Sequence, residues 1–280
     1  MTAELAADPI IITGAARSGT TYLVQILNSH PEVAITDEIR LFVWVHKVLR
    51  ELPHDQNVIF RHRDEFVDFL SQQFPELIRT FYRALNPGRR FWGDKNPHYL
   101  SAPFATNGGL ETIRELFSGT RFINIVRDGR DVVCSGMRGV WKNFDSVHQM
   151  WTSHVRHGRQ LAAVVPPDHY FELRYEELVR DDVGMATRIF QFLRIPMHPK
   201  VLSFCQNQMQ KRTPFARPSR DLAKGARNSD WNQMLNPAQK LRSLELLGPE
   251  LIDFGYETEA TVAEAKRSIA SELASRPSNV

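Results

Sequence analysis

Ile10-Ile11-Ile12-Thr13-Gly14-Ala15-Ala16-Arg17-Ser18-Gly19-Thr20-Thr21 is the stretch on which the reading of the fold turns. The β-branched triplet has the make-up of a strand buried on both faces, and the small, polar residues after it make a loop. From Thr20 the apolar residues Leu23, Val24 and Leu27 recur at helical spacing. Asn28-Ser-His-Pro31 ends that helix, and Val33–Ile35 is a second candidate strand. Strand, loop, helix and strand in this order open a doubly wound α/β fold: a P-loop-like central parallel sheet flanked by helices.

The loop has a chemistry of its own. Backbone amides there converge on an anion, and the following helix N-terminus adds its partial positive charge. Gly14, Gly19 and Thr21 fall at the positions of the pattern G-x-x-x-x-G-K-[ST], but Thr20 stands where the lysine belongs and a cation sits inside the loop at Arg17. A triphosphate cradle depends on that lysine together with a metal. A guanidinium with two hydroxyls suits a more compact anion. By itself the loop fits a glycine turn with a surface arginine equally well.

Outward from this unit, residues 40–85 carry aromatic and aliphatic residues at helical intervals, with Pro53 and Pro75 expected to break them into pieces. A turn at Asn86-Pro-Gly88 leads to Phe91-Trp-Gly-Asp-Lys-Asn-Pro97. A helix is predicted around Leu110–Phe117, then a central strand at Arg121–Val126. Arg127-Asp-Gly-Arg-Asp131 turns into a helix that runs to about Arg138. A helix over 145–164, a strand at Tyr170–Leu173 and helical segments from Glu176 to Leu193 come next. The basic stretch 211–232, broken by Pro214 and Pro218, reads as a long functional loop. Pro237–Leu247 is a further helix, and the tail from about 257 reads as a frayed helix or as disorder. Without a repeat or a linker, residues 1–280 are expected to form a single domain.

Composition excludes several classes. With 42% hydrophobic and 24% charged residues and a net charge of +3, the chain is an ordinary globular protein with a mild preference for anions. It lacks the dense basic patches of a nucleic-acid binder and any apolar run of membrane-spanning length. Cys134 and Cys205 are too few for a disulfide framework, and no His-Glu-x-x-His or Cys-x-x-Cys pattern occurs among the ten histidines. His154 and His157, at i and i+3, read as a solvated helix face. The expectation is a cytoplasmic protein with no metal, no nucleic-acid partner and no membrane partner.

Arg17-Ser-Gly-Thr-Thr-Tyr-Leu23, continued by His30-Pro31-Glu32 and Asp37-Glu38-Ile39-Arg40, resembles the 5′-phosphosulfate loop and its continuation in sulfotransferases that use 3′-phosphoadenosine-5′-phosphosulfate (PAPS). The arginine form is similar to bacterial members and the tyrosylprotein branch. An arginine at the end of the strand Phe122–Val126 and a serine on the next helix can clamp a phosphate. The resemblance implies that Arg127 and Ser135 take the 3′-phosphate. Leu173-Arg-Tyr-Glu-Glu-Leu-Val179 resembles a third family stretch and implies Tyr175 near the adenine; a core tyrosine is the other reading. Lys224-Gly225 and Ser229-Asp230-Trp231 resemble the cofactor-closing loop, which implies Lys224, and also Arg227, at the 3′-phosphate, although Ala223 replaces the family's usual arginine. The resemblance spans roughly residues 9 to 255.

It implies an enzyme that moves a sulfuryl group in line from PAPS to a hydroxyl or phenol, with no metal required. The implied cofactor contacts are Arg17, Ser18, Gly19, Thr20, Thr21, Arg127, Ser135, Tyr175 and Lys224. Glu38 is the candidate general base, with Asp37 and His98 as rivals. Lys95 in Gly93-Asp-Lys-Asn-Pro97 is the candidate electrophile at the bridging oxygen, sharing that role with Arg17; otherwise it is a turn lysine beside Asn96-Pro97. The acceptor class stays open among small molecules, carbohydrates and tyrosine-containing acceptors, with Phe42, Trp44, Trp141 and Phe144 expected to wall its site. A homodimer is compatible with the sequence. Two alternatives remain: a P-loop kinase or nucleotidase with Asp128 as its metal carboxylate, and a nucleotide-binding module without chemistry.

Overall fold

The computed structural model describes residues 5–51, 62–138, 141, 143–211 and 231–275. In chain order the elements are β1 Ile10–Thr13, α1 Thr20–Asn28, β2 Val33–Asp37, α2 Leu41–His46, a π turn at Lys47–Glu51, α3 Arg63–Leu85, β3 Phe91–Lys95, a 3-10 turn at Pro97–Leu100, α4 Ala102–Ala105 and α5 Gly109–Leu116. Then come β4 Arg121–Val126, α6 Gly129–Met137, α7 Phe144–Val164, β5 Tyr170–Arg174, α8 Tyr175–Arg180, α9 Asp182–Leu193 and α10 Pro199–Lys211. The chain closes with α11 Trp231–Met234, α12 Pro237–Asp253 and α13 Glu259–Ser275. The five strands form one parallel sheet in the order β2-β3-β1-β4-β5.

Strand alternation divides the core. Ile10 and Ile12 join Ile123 and Ile125 on the face covered by α1, α8 and α9, where Leu23, Leu178 and Ile189 are fully buried. Ile11 joins Phe122 and Trp92 on the other face, against Phe42 of α2, Tyr82 of α3 and Ile113 of α5. A third cluster ties α6, α7 and α12 together through Val133, Trp151 and Leu247. Each such side chain contributes roughly 1.5–3 kcal/mol by leaving water. Apolar residues on both faces of β1 and β4 are what a parallel sheet buried between helix layers requires.

Strand β3 was not among the expected strands, yet it lies between β2 and β1. Its sequence Phe-Trp-Gly-Asp-Lys has no β-branched residue, and two of its five residues are charged. The glycine is demanded by packing: a Cβ on Gly93 would lie 1.8 Å from the Ile10 carbonyl oxygen. Trp92 is fully buried, with its indole N–H donating to the Ala6 carbonyl at 2.7 Å.

Two expectations are corrected. Pro75 does not break its helix but lies within α3. The residues beyond it, Ile78 and Tyr82, pack into the core and offset the one backbone hydrogen bond a proline removes. Past residue 257, where a frayed helix or disorder was expected, the helix α13 forms and packs on the third cluster through Val262, Ala265 and Ile269. No helix among the described residues is long and apolar enough to cross a membrane.

Candidate active site

The carboxyl ends of β1, β2, β3 and β4 carry most of the residues singled out from the sequence. The loop after β1 runs straight into α1, whose N-cap, Gly19, supplies no side-chain cap. The first-turn amides are therefore left without a side-chain acceptor, which is the arrangement that receives an anion. Gly19 has φ +93°, and a Cβ there would meet the Tyr175 ring at 2.3 Å. Glycine at this position lets the Tyr175 ring lie directly on the loop. The Ser18 hydroxyl is fully buried and finds no hydrogen-bond partner among the described residues. Thr20 is buried and Thr21 exposed.

Beside the loop, the end of β4 holds Arg127. Its guanidinium lies 4.6 Å from the Tyr175 ring centre, Nη1 donates to the Arg17 carbonyl at 3.2 Å, and Nη2 lies 3.6 Å from Asp131. The Trp151 indole N–H fixes the Arg127 carbonyl at 2.9 Å. Arg127 Nε is buried without a partner among the described residues. Arg17 is exposed, and its Nε donates to the Ser135 hydroxyl at 3.1 Å. Arg17 and Ser135, expected at opposite ends of a nucleotide, are thus hydrogen-bonded to each other. Two orphaned buried polar groups and an uncapped helix start fit a phosphorylated ligand. The β4–α6 corner is braced by Glu176, which accepts from the Asp128 amide and the Tyr256 hydroxyl, each at 3.0 Å. Burial raises the Glu176 carboxyl above its ordinary range.

On the other side of β1, β2 and β3 bring Glu38, Asp37 and Lys95 together. The register pairs Asp37 with Lys95, and the Glu38 amide donates to the Lys95 carbonyl at 2.8 Å. The Lys95 ammonium, on a side chain only 4% exposed, lies 2.8 Å from Glu38 Oε1 and also pairs with Asp37, while both carboxylates are about half exposed. Lys95 is therefore a strand-end residue, not a turn lysine. Behind it, the fully buried Asp94 accepts from Thr36 Oγ1 at 2.7 Å and from the Tyr99 hydroxyl at 2.5 Å. Burial raises the Asp94 carboxyl, against the pull of these donors and of the Ile39 amide.

Among the described residues, four non-glycine residues have left-handed backbones: Arg17 (φ 74°), Glu38 (φ 59°), Arg40 (φ 61°) and Arg194 (φ 57°). Such geometry costs on the order of 1 kcal/mol per residue and gathers where function over-rides local preference. Three of the four lie in the two loops just described.

Other candidates fall elsewhere. His98 is half-buried with Ser101 Oγ at 3.0 Å from Nδ1, and its pKa is lowered by burial and by the nearby Arg40. Phe42 cannot wall an acceptor site: it is 1% exposed and packed edge-on against Tyr99 and Phe117. Trp141 and Phe144 pack against the third cluster, leaving Trp44 as the exposed aromatic of that set. His154 and His157 are buried, not solvated, and sit 2.9 Å from the carbonyls of Pro97 and Leu100. They brace the turn that comes after Lys95. Lys224, Arg227 and residues 212–230 of the 211–232 loop lie outside the described residues. Asp94, Tyr99 and Trp151 were missed by the sequence reading, because a buried carboxylate and the rings beside it carry no local motif.

Residues 9–199 match the family model described as "Sulfotransferase family". Protein-tyrosine sulfotransferase A of Caenorhabditis elegans is 26% identical over 200 residues, which cover 69% of this chain and 51% of that protein. Carbohydrate sulfotransferase 5 of Mus musculus is 27% identical over 185 residues, 56% of this chain and 44% of that protein. The chain spans about half the length of these curated relatives. Among solved structures, the sulfotransferase domain from the curacin biosynthetic pathway superposes with a TM-score of 0.53 at 18% identity, covering 98% of this chain and 99% of that one. A mouse sulfotransferase complexed with PAP superposes with the same TM-score at 16% identity, covering 96% and 91%.

Proposed function

The chain belongs to the sulfotransferase family, and from that premise we propose that it transfers a sulfuryl group from PAPS to a hydroxyl or phenol acceptor. The observation that carries this reading is one sheet edge with two unlike halves. Unpartnered buried donors at Ser18 and Arg127 lie on one side of β1, and a Lys95–Glu38–Asp37 cluster lies on the other.

In this reading the loop Arg17–Thr21 holds the 5′-phosphosulfate, Arg127 and Ser135 the 3′-phosphate, and Tyr175 the adenine, with Lys224 closing over the nucleotide. The donor supplies a sulfuryl group whose departure leaves negative charge on the bridging phosphate oxygen. Glu38 is half exposed, so its carboxylate is open to the acceptor hydroxyl and takes its proton. Lys95 then loses one of its two counter-charges, keeps Asp37, and turns its ammonium toward the departing oxygen. Arg17, in its strained loop conformation, shares that load. Asp37 remains the rival base one position away. Residues 1–280 act as one catalytic domain, and the acceptor is a small molecule, a carbohydrate or a tyrosine-containing peptide.

Thermal-shift titrations with 3′,5′-bisphosphoadenosine (PAP) and with ATP-Mg2+ test the cofactor. PAP is expected to stabilise the chain; stabilisation by ATP-Mg2+ alone overturns the reading. Labelled PAPS offered to a phenol, a sugar panel and tyrosine peptides then tests transfer. PAP binding with no transfer to any of them favours the nucleotide-binding module.

A further inference from the structure

We infer that Asp94 is the positioning residue for Glu38, anchoring the turn that presents the candidate base to Lys95. The inference rests on the reading of Glu38 as base and adds a residue that touches neither donor nor acceptor.

A carboxyl group with no exposure, in the middle of a parallel sheet, is costly unless its oxygens are hydrogen-bonded. The hydrogen-bond partners of Asp94 come from two separate segments, Thr36 on β2 and Tyr99 in the 3-10 turn after β3, while the Ile39 amide in the turn after β2 pulls its pKa down. Both hydroxyls donate to it. Thr36 lies two residues before Glu38, Ile39 comes directly after it, and Asp94 directly precedes Lys95. One carboxylate therefore clasps both sides of the base–lysine pair from behind.

The backbone explains why such a clasp is needed. Glu38 and Arg40 are both left-handed, and Ile39, whose amide pulls the Asp94 carboxyl down, lies between them. A turn strained on both sides of one residue relaxes once the buried carboxylate that holds Thr36 at its start is lost, and relaxation moves the Glu38 carboxylate away from Lys95. An amide side chain is no substitute. Asparagine at 94 keeps one acceptor oxygen and turns an NH2 toward the other hydroxyl, which must then give up its donor role and accept, so the buried pair of bonds is rearranged.

The test compares Asp94→Asn, Glu38→Gln and the double variant, with Thr36→Val and Tyr99→Phe as milder losses of one donor each. Hydrogen exchange on the unliganded protein needs no acceptor. Asp94→Asn is expected to speed exchange in residues 36–41 while the loop 13–21 keeps its protection and PAP its affinity. Unchanged exchange at 36–41, or equal loss in both segments, overturns the inference. With whichever phenol, sugar or peptide accepts label from PAPS, Asp94→Asn is expected to lower kcat by about 10²-fold with little change in KM for PAPS. The double variant should be no slower than Glu38→Gln. Multiplicative losses mean that Asp94 acts independently of Glu38, and the inference falls. If Glu38→Gln alone leaves kcat intact, the base assignment fails instead, and the exchange result still reports on the clasp. Should Asp94→Asn fail to fold, the Thr36 and Tyr99 variants carry the same comparison; an unaltered kcat and unaltered exchange in both overturns it.

Discussion

At the Lys95 end of the sheet edge a buried ammonium has two carboxylates, whereas at the Ser18 end two buried polar atoms, the Ser18 hydroxyl oxygen and Arg127 Nε, have no partner among the described residues. The first half is saturated before any ligand arrives, and in the proposed mechanism a proton must move there before a charge is released. The second half is unsaturated and gains hydrogen bonds when an anion docks. Binding and turnover should therefore respond to different residues, although β1 alone separates β3 from β4.

The largest effect that can break this division is expected from Lys95→Met. Two carboxylates lose their shared cation, and kcat should fall by about 10²–10³-fold, as for other groups that stabilise a developing charge. PAP affinity should stay close to that of the parent in a titration. A parallel loss of PAP binding would merge the two halves. Next comes Arg127→Ala, which removes a guanidinium only 11% exposed. It should weaken PAP by about 2 kcal/mol or more, while adenosine 5′-phosphosulfate, lacking the 3′-phosphate, loses far less. Equal losses in a calorimetric comparison place the 3′-phosphate elsewhere.

Ser18→Ala is a smaller and sharper probe. Deleting a buried hydroxyl without a partner should leave the melting temperature of the free protein unchanged or slightly higher, yet weaken PAP by roughly 0.5–1.5 kcal/mol. A free protein that melts clearly lower would show that the hydroxyl is already satisfied. The smallest effect is on pH dependence, and it samples both halves. Burial raises Asp94 in one and Glu176 in the other. A raised carboxyl holds its proton in the folded state after the unfolded chain has released it. The stability it contributes is therefore present below the ordinary carboxylate pKa and lost as pH rises through the folded value. Urea midpoints across that range should decline, and Asp94→Asn and Glu176→Gln should each flatten the slope.

Four of the five strands were legible because Ile10–Ile12, Val33–Ile35, Phe122–Val126 and Tyr170–Leu173 are short runs rich in β-branched, aliphatic or aromatic residues beside turn signals. Strand β3 was not. Its charged residues are buried because partners from β2 and from the adjoining turns satisfy them, and such pairing is invisible to any local pattern. The anion loop was legible from glycine spacing between strand and helix. The contact between Arg17 and Ser135, 118 positions apart, was not. Phe42 misled for a similar reason: its place in a helical aromatic run does not reveal which face meets the sheet. Glu38 and Lys95 were found by resemblance, and the register of β2 against β3 puts them in contact.

The left-handed backbones at Glu38 and Arg40 have a consequence for any library screen of this chain. Glycine adopts that conformation without strain, so variants sorted by cellular abundance should enrich glycine at both positions. Sorted by product formed, the same library should discard glycine at 38. The two rankings would disagree there more sharply than at an ordinary surface turn, and a stability-guided redesign trusting abundance alone would remove the proposed base.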